Sequence, residues 1–147
     1  MANTWMVRAG RGGIYSEDFE KGYVAIGWQL LGDLNAYKSA EDLREKYIAT
    51  YGKEKPAKIS NAVAMMLKFR DQIKAGDYIV SYNPETRQYL FGRDKGHYQF
   101  STEIIDDYPN TRTVDWLGKV DRDALSQKSK NSLGSTLTLF SIKPAVL

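Results

Sequence analysis

The stretch that most constrains the fold is residues 76–98, GDYIVSYNPETRQYLFGRDKGHY, because it has the pattern of a β-hairpin. β-branched and aromatic residues flank the turn-forming residues 83–86 on both sides. Gly92 and Gly96 then interrupt a run that continues with aromatic residues. A glycine inside a strand usually marks a bulge or a corner. The segment therefore predicts a strongly bent sheet that is rich in tyrosine.

The order of the remaining elements predicts an α+β domain. Two strands and two helices precede the hairpin, and further strands without intervening helices follow it, which favours a mostly antiparallel sheet with helices to one side. The helix at 39–51 opens with a capping box at Ser39, and the next helix is expected to begin at Ser60 or Asn61. The predicted strands lie at residues 4–9, 23–28, 78–82, 89–91, 101–105, 113–120 and the end of 132–142.

Composition points to a soluble intracellular protein that is one domain over residues 1–147. A chain of 147 residues with 42% hydrophobic residues can bury a sizeable core. It has no cysteine, no signal-peptide pattern and no apolar run that approaches the roughly 20 residues of a membrane span. The net charge of +3 is a mild bias, so the placement of the charges matters more than their total.

Catalytic chemistry is difficult to build from this sequence. His97 is the one histidine, and without cysteine there is no thiolate nucleophile and no sulfur-ligated metal. The acid pairs Asp106-Asp107 and Asp121 with Asp123 lie in turn-like settings, where acids commonly cap and solvate the chain. We therefore predict a binding domain rather than an enzyme, with no metal and no cofactor.

The turn at Gly10-Arg11-Gly12-Gly13 invites a phosphate-loop interpretation. Its spacing matches neither the P-loop nor the dinucleotide fingerprint, and no Lys-Ser/Thr pair follows it. The simpler prediction is a tight turn that leads into a short helix capped by Ser16.

A binding pocket is easier to build from these residues. Aromatic residues at strand ends around a bent sheet can hold a flat ring, and stacking contributes about 1 to 3 kcal/mol per base. Ser60 and Asn61, at the expected helix start, would bond to the edge of that ring. The alternative is that the tryptophans are core residues. The predicted base pocket consists of Trp28, Ser60, Asn61, Tyr82, Tyr98 and Trp116.

Basic residues in loops and at strand ends are candidates for contact with a phosphate backbone. Each of them alone is also compatible with an ordinary solvated surface charge. The predicted backbone contacts are Arg8, Arg11, Arg93, Lys95, Arg112 and Lys130.

Several motifs in order resemble one known family. They are WMVRAGRGG, FEKGYVAIGW, the hairpin segment, YPNTRTVDWLGKVDRDALS and NSLGSTLTLF. Together these motifs, over residues 4–142, resemble the N-terminal domain of Mrr-type, modification-dependent restriction endonucleases. That domain is in turn similar to the PUA-like superfamily, which includes the EVE and YTH modified-base readers.

The resemblance implies a small bent β-barrel flanked by helices, in a prokaryotic cytoplasm. It implies a DNA-binding specificity domain that reads a modified, flipped base in double-stranded DNA for a nuclease domain in cis or in trans. Cleavage is expected only from that attached or partner domain. Two alternatives remain open: a PUA-like module that reads modified RNA, and a small-ligand or protein-interaction domain. The sequence leaves the oligomeric state undetermined.

Overall fold

A computed structural model describes residues 2–134 and 137–142 and folds them around one β-sheet. None of the helices in this part of the chain has both the length and the apolar character that a membrane crossing needs. The α+β class is confirmed. The strands are β1 (Thr4–Val7), β2 (Tyr23–Ile26), β3 (Tyr78–Asn83), β4 (Gln88–Phe100), β5 (Asn110–Asp121) and β6 (Leu139–Ile142). The described α-helices are α1 (Ser16–Glu20), α2 (Ala40–Tyr51), α3 (Pro56–Leu67) and α4 (Gln127–Leu133).

The sheet is open and has the strand order β2-β5-β4-β3-β1-β6. Every neighbouring pair is antiparallel except β1 and β3, which run parallel, so the prediction of a mostly antiparallel sheet is confirmed. A barrel closes only when its first and last strands pair. Among the described residues β2 and β6 are edges that do not pair with each other, so the expected barrel is not closed.

The predicted hairpin forms from β3 and β4, and irregular pairing bends the sheet beyond it. The register between β4 and β5 shifts between Phe91 and Gly92, and again between Asp94 and Tyr98. Gly92 has to lack a side chain, because a Cβ there would collide with the carbonyl oxygen of Asp115. The prediction that glycines mark bulges in this strand is confirmed.

Three local predictions are wrong. Residues 101–105 leave the sheet and turn back towards β5 instead of continuing the strand. The helix α3 begins at Pro56, whose fixed φ suits the first turn, so Ser60 and Asn61 lie inside the helix and not at its start. Ser16 is the first residue within α1, and its hydroxyl makes no capping bond.

Alternation along the strands divides the apolar side chains between the two faces of the sheet. Trp5 on β1 and Ile79 on β3 belong to a large core that also contains the buried sides of α2 and α3. Met6 on β1 and Val80 on β3 belong to a smaller cluster with Leu133 of α4. We call the first the helix-layer face and the second the α4 face.

A buried ion pair lies where the sheet meets the end of α3. Two guanidinium nitrogens of Arg112 donate to the Asp94 carboxylate at 2.7 and 2.9 Å, and the third donates to the Phe69 carbonyl oxygen at 3.0 Å. The two side chains are 3% and 0% exposed. The prediction that Arg112 contacts phosphate is therefore wrong, since its guanidinium is enclosed and its nitrogens already bind within the fold.

Removing one partner of this pair should destabilise the fold strongly. The substitution Arg112→Met leaves the Asp94 carboxylate buried without a counter-charge, which costs about 3 to 5 kcal/mol in comparable buried pairs. Urea denaturation measures the change. The double variant Arg112→Met, Asp94→Leu should recover much of the loss, because no uncompensated charge then remains.

The matched control is Arg87→Met, which breaks an ion pair with Asp123 whose side chains are 54% and 66% exposed. Exposed pairs contribute little, so no measurable change in the denaturation midpoint is expected. Equal losses in the Arg112 and Arg87 variants would contradict a special role for the buried pair.

Candidate functional site

Trp28 follows β2 in a left-handed backbone conformation, with φ of 57°. Such a conformation is uncommon for a large side chain and persists only where surrounding contacts hold it. The half-buried ring packs against the helix-layer core, and it lies close enough to Tyr47 to lower the pKa of that residue slightly against the larger effect of burial. The carbonyl oxygen of Gly27 accepts a 2.7 Å hydrogen bond from the Asn110 amide. Trp28 is thus fixed by contacts within the fold.

Tyr98 connects three segments through its hydroxyl. The hydroxyl donates to the Asn110 side-chain oxygen at 2.7 Å and accepts from the Leu34 backbone N–H at 2.9 Å. The ring meets Phe69 edge-on, with centroids 6.3 Å apart. Burial raises the pKa of Tyr98 far above its ordinary value. These contacts place Tyr98 against the helix-layer core.

The remaining predicted pocket residues do not gather around Trp28. Trp116 packs on the helix-layer core and donates its indole N–H to the Phe19 carbonyl oxygen at 2.6 Å. Ser60 is exposed on α3 and accepts from Arg44 at 3.1 Å, and Asn61 beside it is also exposed. Tyr82 lies on the opposite face of the sheet, against the α4 cluster. The predicted residues therefore do not form one pocket.

Seven of the ten tyrosines have a raised pKa, with burial as the first cause in each. For Tyr47, burial and a hydrogen bond from its hydroxyl to Glu54 raise the pKa to about 12. The folded chain therefore keeps phenol protons at pH values where the unfolded chain, titrating near 10, has lost them. The other six are Tyr15, Tyr37, Tyr51, Tyr89, Tyr98 and Tyr108.

Stability should consequently fall as the pH rises above about 10, because the unfolded state then binds fewer protons than the folded state. The stabilisation that the protonated tyrosines give to the folded state is fully present below their unfolded pKa, and it is lost as the pH passes their raised folded pKa values. Thermal melts between pH 8 and pH 12 measure the fall, and tyrosinate absorbance follows the titration itself. If the native protein and the protein in denaturant gave the same absorbance curve, the burial of these hydroxyls would be refuted.

The α4 face has a cavity that includes residues from two of the predicted sets. Its volume is about 220 Å³, and Arg8 at the end of β1 and Tyr82 on β3 contribute to its wall. The Tyr82 ring lies beside that of Tyr89, with centroids 4.6 Å apart and planes tilted by 39°. We call this cavity the glycine-turn cavity. Its lining residues are Met6, Arg8, Ala9, Gly10, Gly12, Gly13, Tyr82 and Pro84.

Main chain forms part of the wall, because the lining residues Gly10, Gly12 and Gly13 have no side chains; all three have positive φ, between 65° and 76°. A Cβ on Gly13 would collide with the ring of Pro84 and lie 3.2 Å from the Ser16 hydroxyl. That hydroxyl is buried and has no hydrogen-bond partner among the described residues. An unpaired buried hydroxyl costs about 1 to 3 kcal/mol. The turn thus brings exposed main chain and one unsatisfied polar group close together.

Cations surround the α4 face at both ends. Arg11 is exposed in the glycine turn itself, beside the cavity. At the other end of the face, Arg93 lies 4.6 Å above the centre of the Tyr78 ring, and Lys95 follows it, exposed. Lys130 is half-buried on α4 and close enough to Asp123 to lower the pKa of that carboxyl, after the larger effect of Arg87.

The run Gly10-Arg11-Gly12-Gly13 was the sequence signal for the glycine-turn cavity, and its interpretation as a tight turn alone was incomplete. The glycines do form a tight turn, as expected, but they also line a cavity. Alternation along β1 directs Arg8 to the same face as Met6, and alternation along β3 directs Tyr82 there with Val80. That these two strands are neighbours is a long-range fact that local spacing does not contain.

Over residues 2–134 and 137–142, no group of three histidine, aspartate or glutamate side chains is arranged to hold a metal ion.

A family model described as "Domain of unknown function (DUF8426)" matches residues 5–143. No curated protein and no solved structure matches the chain.

Proposed function

We propose that this chain, which belongs to the family described as Domain of unknown function (DUF8426), is a nucleic-acid-binding domain. The proposal is based on the geometry of the chain itself. We place one nucleotide in the glycine-turn cavity. The observation that carries the proposal is the composition of the cavity wall, where Arg8, the Tyr82 ring and the main chain of the glycine turn meet.

Each part of that wall suits one part of a nucleotide. An aromatic ring stacks on a base, and stacking is tolerant of sequence because every base has a flat face. Glycines allow a ligand to approach the backbone closely, and main-chain N–H groups can bind an anion. An arginine guanidinium binds phosphate oxygens in a bidentate manner. Arg11, exposed on the turn, would extend the contact to the next phosphate.

The finer form of the proposal is that the nucleotide is a flipped, modified base in double-stranded DNA. It rests on the resemblance of residues 4–142 to the N-terminal domain of Mrr-type restriction endonucleases and, through it, to PUA- and EVE-like readers. In that form the domain supplies specificity to a nuclease domain in cis or in trans, in the cytoplasm. The α+β class and the bends in β4 are compatible with that resemblance, whereas the open sheet differs from the closed barrel that the resemblance implies.

Energetics set what such a cavity has to do. Flipping a base costs a few kcal/mol, so stacking and edge hydrogen bonds must offset that cost. Burial of one added methyl group contributes only about 0.8 kcal/mol. Strong discrimination would therefore require a misfit of the unmarked base. Affinity itself would come mainly from phosphate contacts and would depend on salt.

The substitution Arg11→Ala should weaken binding to all nucleic acids alike. The logarithm of the binding constant falls as the logarithm of the salt concentration rises, and loss of one phosphate contact makes this slope shallower by about 1. Fluorescence titrations at several salt concentrations measure that slope, with unmodified duplex, duplexes bearing modified cytosine or adenine, and single-stranded RNA.

Arg44→Ala is the matched control, because Arg44 lies on α2 on the other side of the sheet. It should leave both the affinity and the slope unchanged. Equal slopes for the Arg11 and Arg44 variants would exclude the glycine turn as the contact surface. A preference for RNA over every duplex would replace the DNA form of the proposal.

The substitution Tyr82→Ala should remove a stacking contact, with a loss of about 1 to 3 kcal/mol in binding free energy. Tyr82→Phe keeps the ring and should retain most of the affinity. The two variants are compared with the native chain by the same titration, after thermal melts confirm that both are folded. Full affinity in the alanine variant would place the nucleotide elsewhere.

A further inference from the structure

The α4 face contains a second cavity, at the opposite end of β1 and β3 from the glycine turn. Its volume is about 370 Å³, within the range typical of small-molecule sites. The side chains that define its shape are Tyr78, Val80, Tyr89, Phe91, Val120 and Leu133. The first four stand on β3 and β4, and Leu133 comes from α4. We call it the α4 cavity.

We infer that the α4 cavity binds a small organic anion with a flat or aliphatic apolar body. The walls are almost entirely apolar, so a nucleobase, with several polar edge atoms, would lose its hydrogen bonds there. An apolar ring or short chain would lose none. The body of the ligand is therefore apolar by the chemistry of the walls.

The negative charge of the ligand follows from the rim. Tyr78 is 39% exposed, so the cavity reaches solvent beside it. The guanidinium of exposed Arg93 is fixed over that ring at 4.6 Å, and an ordered guanidinium is well suited to a carboxylate or sulfonate. A second cation, Arg122, lies close enough to Tyr89, another wall residue, to offset part of the rise that burial causes in the pKa of that tyrosine.

The α4 cavity is separate from the site proposed for a nucleotide. Tyr89 lines the α4 cavity and Tyr82 lines the glycine-turn cavity; their tilted rings are neighbours, but the two cavities share no lining residue. The inference therefore does not depend on the proposed function. Either site can exist without the other.

The test uses two fluorescent dyes with similar apolar bodies and different charge. The first is 8-anilinonaphthalene-1-sulfonate, an anion, and the second is the neutral N-phenyl-1-naphthylamine. Both should bind the native chain. Arg93→Gln should weaken the sulfonate about threefold, as expected for one exposed charge pair, and should leave the neutral dye unchanged.

A filling substitution locates the dyes. Val120→Phe places a larger side chain in the cavity and should reduce binding of both dyes by about tenfold or more. Leu117→Phe, on the same strand at a position that is 54% exposed, is the matched control and should change nothing. Arg11→Ala should also leave both dyes unaffected, which separates this site from the nucleotide site.

Three results would overturn the inference. They are no binding of either dye to the native chain, unchanged binding of both in a folded Val120→Phe variant, and equal sulfonate affinity in the native and Arg93→Gln chains. Thermal melts of every variant distinguish loss of the cavity from loss of the fold.

Discussion

The arrangement of helices on the sheet depends on the buried contact between Arg112 and Asp94. The pair joins β5 to β4 at the second register shift, and the same guanidinium binds the carbonyl oxygen of Phe69. Phe69 lies in the π-helical turn Lys68–Gln72 that ends α3, where carbonyl groups lack helical partners. One side chain therefore satisfies a buried carboxylate and a helix end together. This fixes where the helical layer meets the sheet.

A consequence of that layer is the unequal covering of the two faces. Helices α2 and α3 have 12 residues each and enclose the helix-layer face. On the other face, α4 has seven residues and spans only about 10 Å, whereas the six residues of β3 span about 20 Å. A helix of that length cannot cover the strands it packs on. Cavities are left at both ends, and they are the sites for which we propose ligands.

Tyrosine serves different purposes on the two faces. On the helix-layer face, hydroxyls close internal hydrogen bonds, such as Tyr37 to the Leu31 carbonyl oxygen at 2.6 Å and Tyr47 to Glu54 at 2.6 Å. On the α4 face, Tyr78 and Tyr82 present their rings to cavities. The count of tyrosines alone predicts neither role. A ring belongs to the core or to a site according to whether another element covers it.

Features that depend on neighbours along the chain were predictable from the sequence. Alternation and turn residues predicted the hairpin and the α+β class, Gly92 predicted the bulge, and the Ser39 cap predicted the start of α2, because each is a local property. The pairing of distant residues emerged only in the folded chain. Folding buried Arg112 against Asp94, 18 residues away, and brought Arg8 together with Tyr82 by placing β1 beside β3. Folding also placed Tyr82 and Trp28 on opposite faces of the sheet. Alternation along a strand tells which side chains share a face, but it does not tell which other element covers that face.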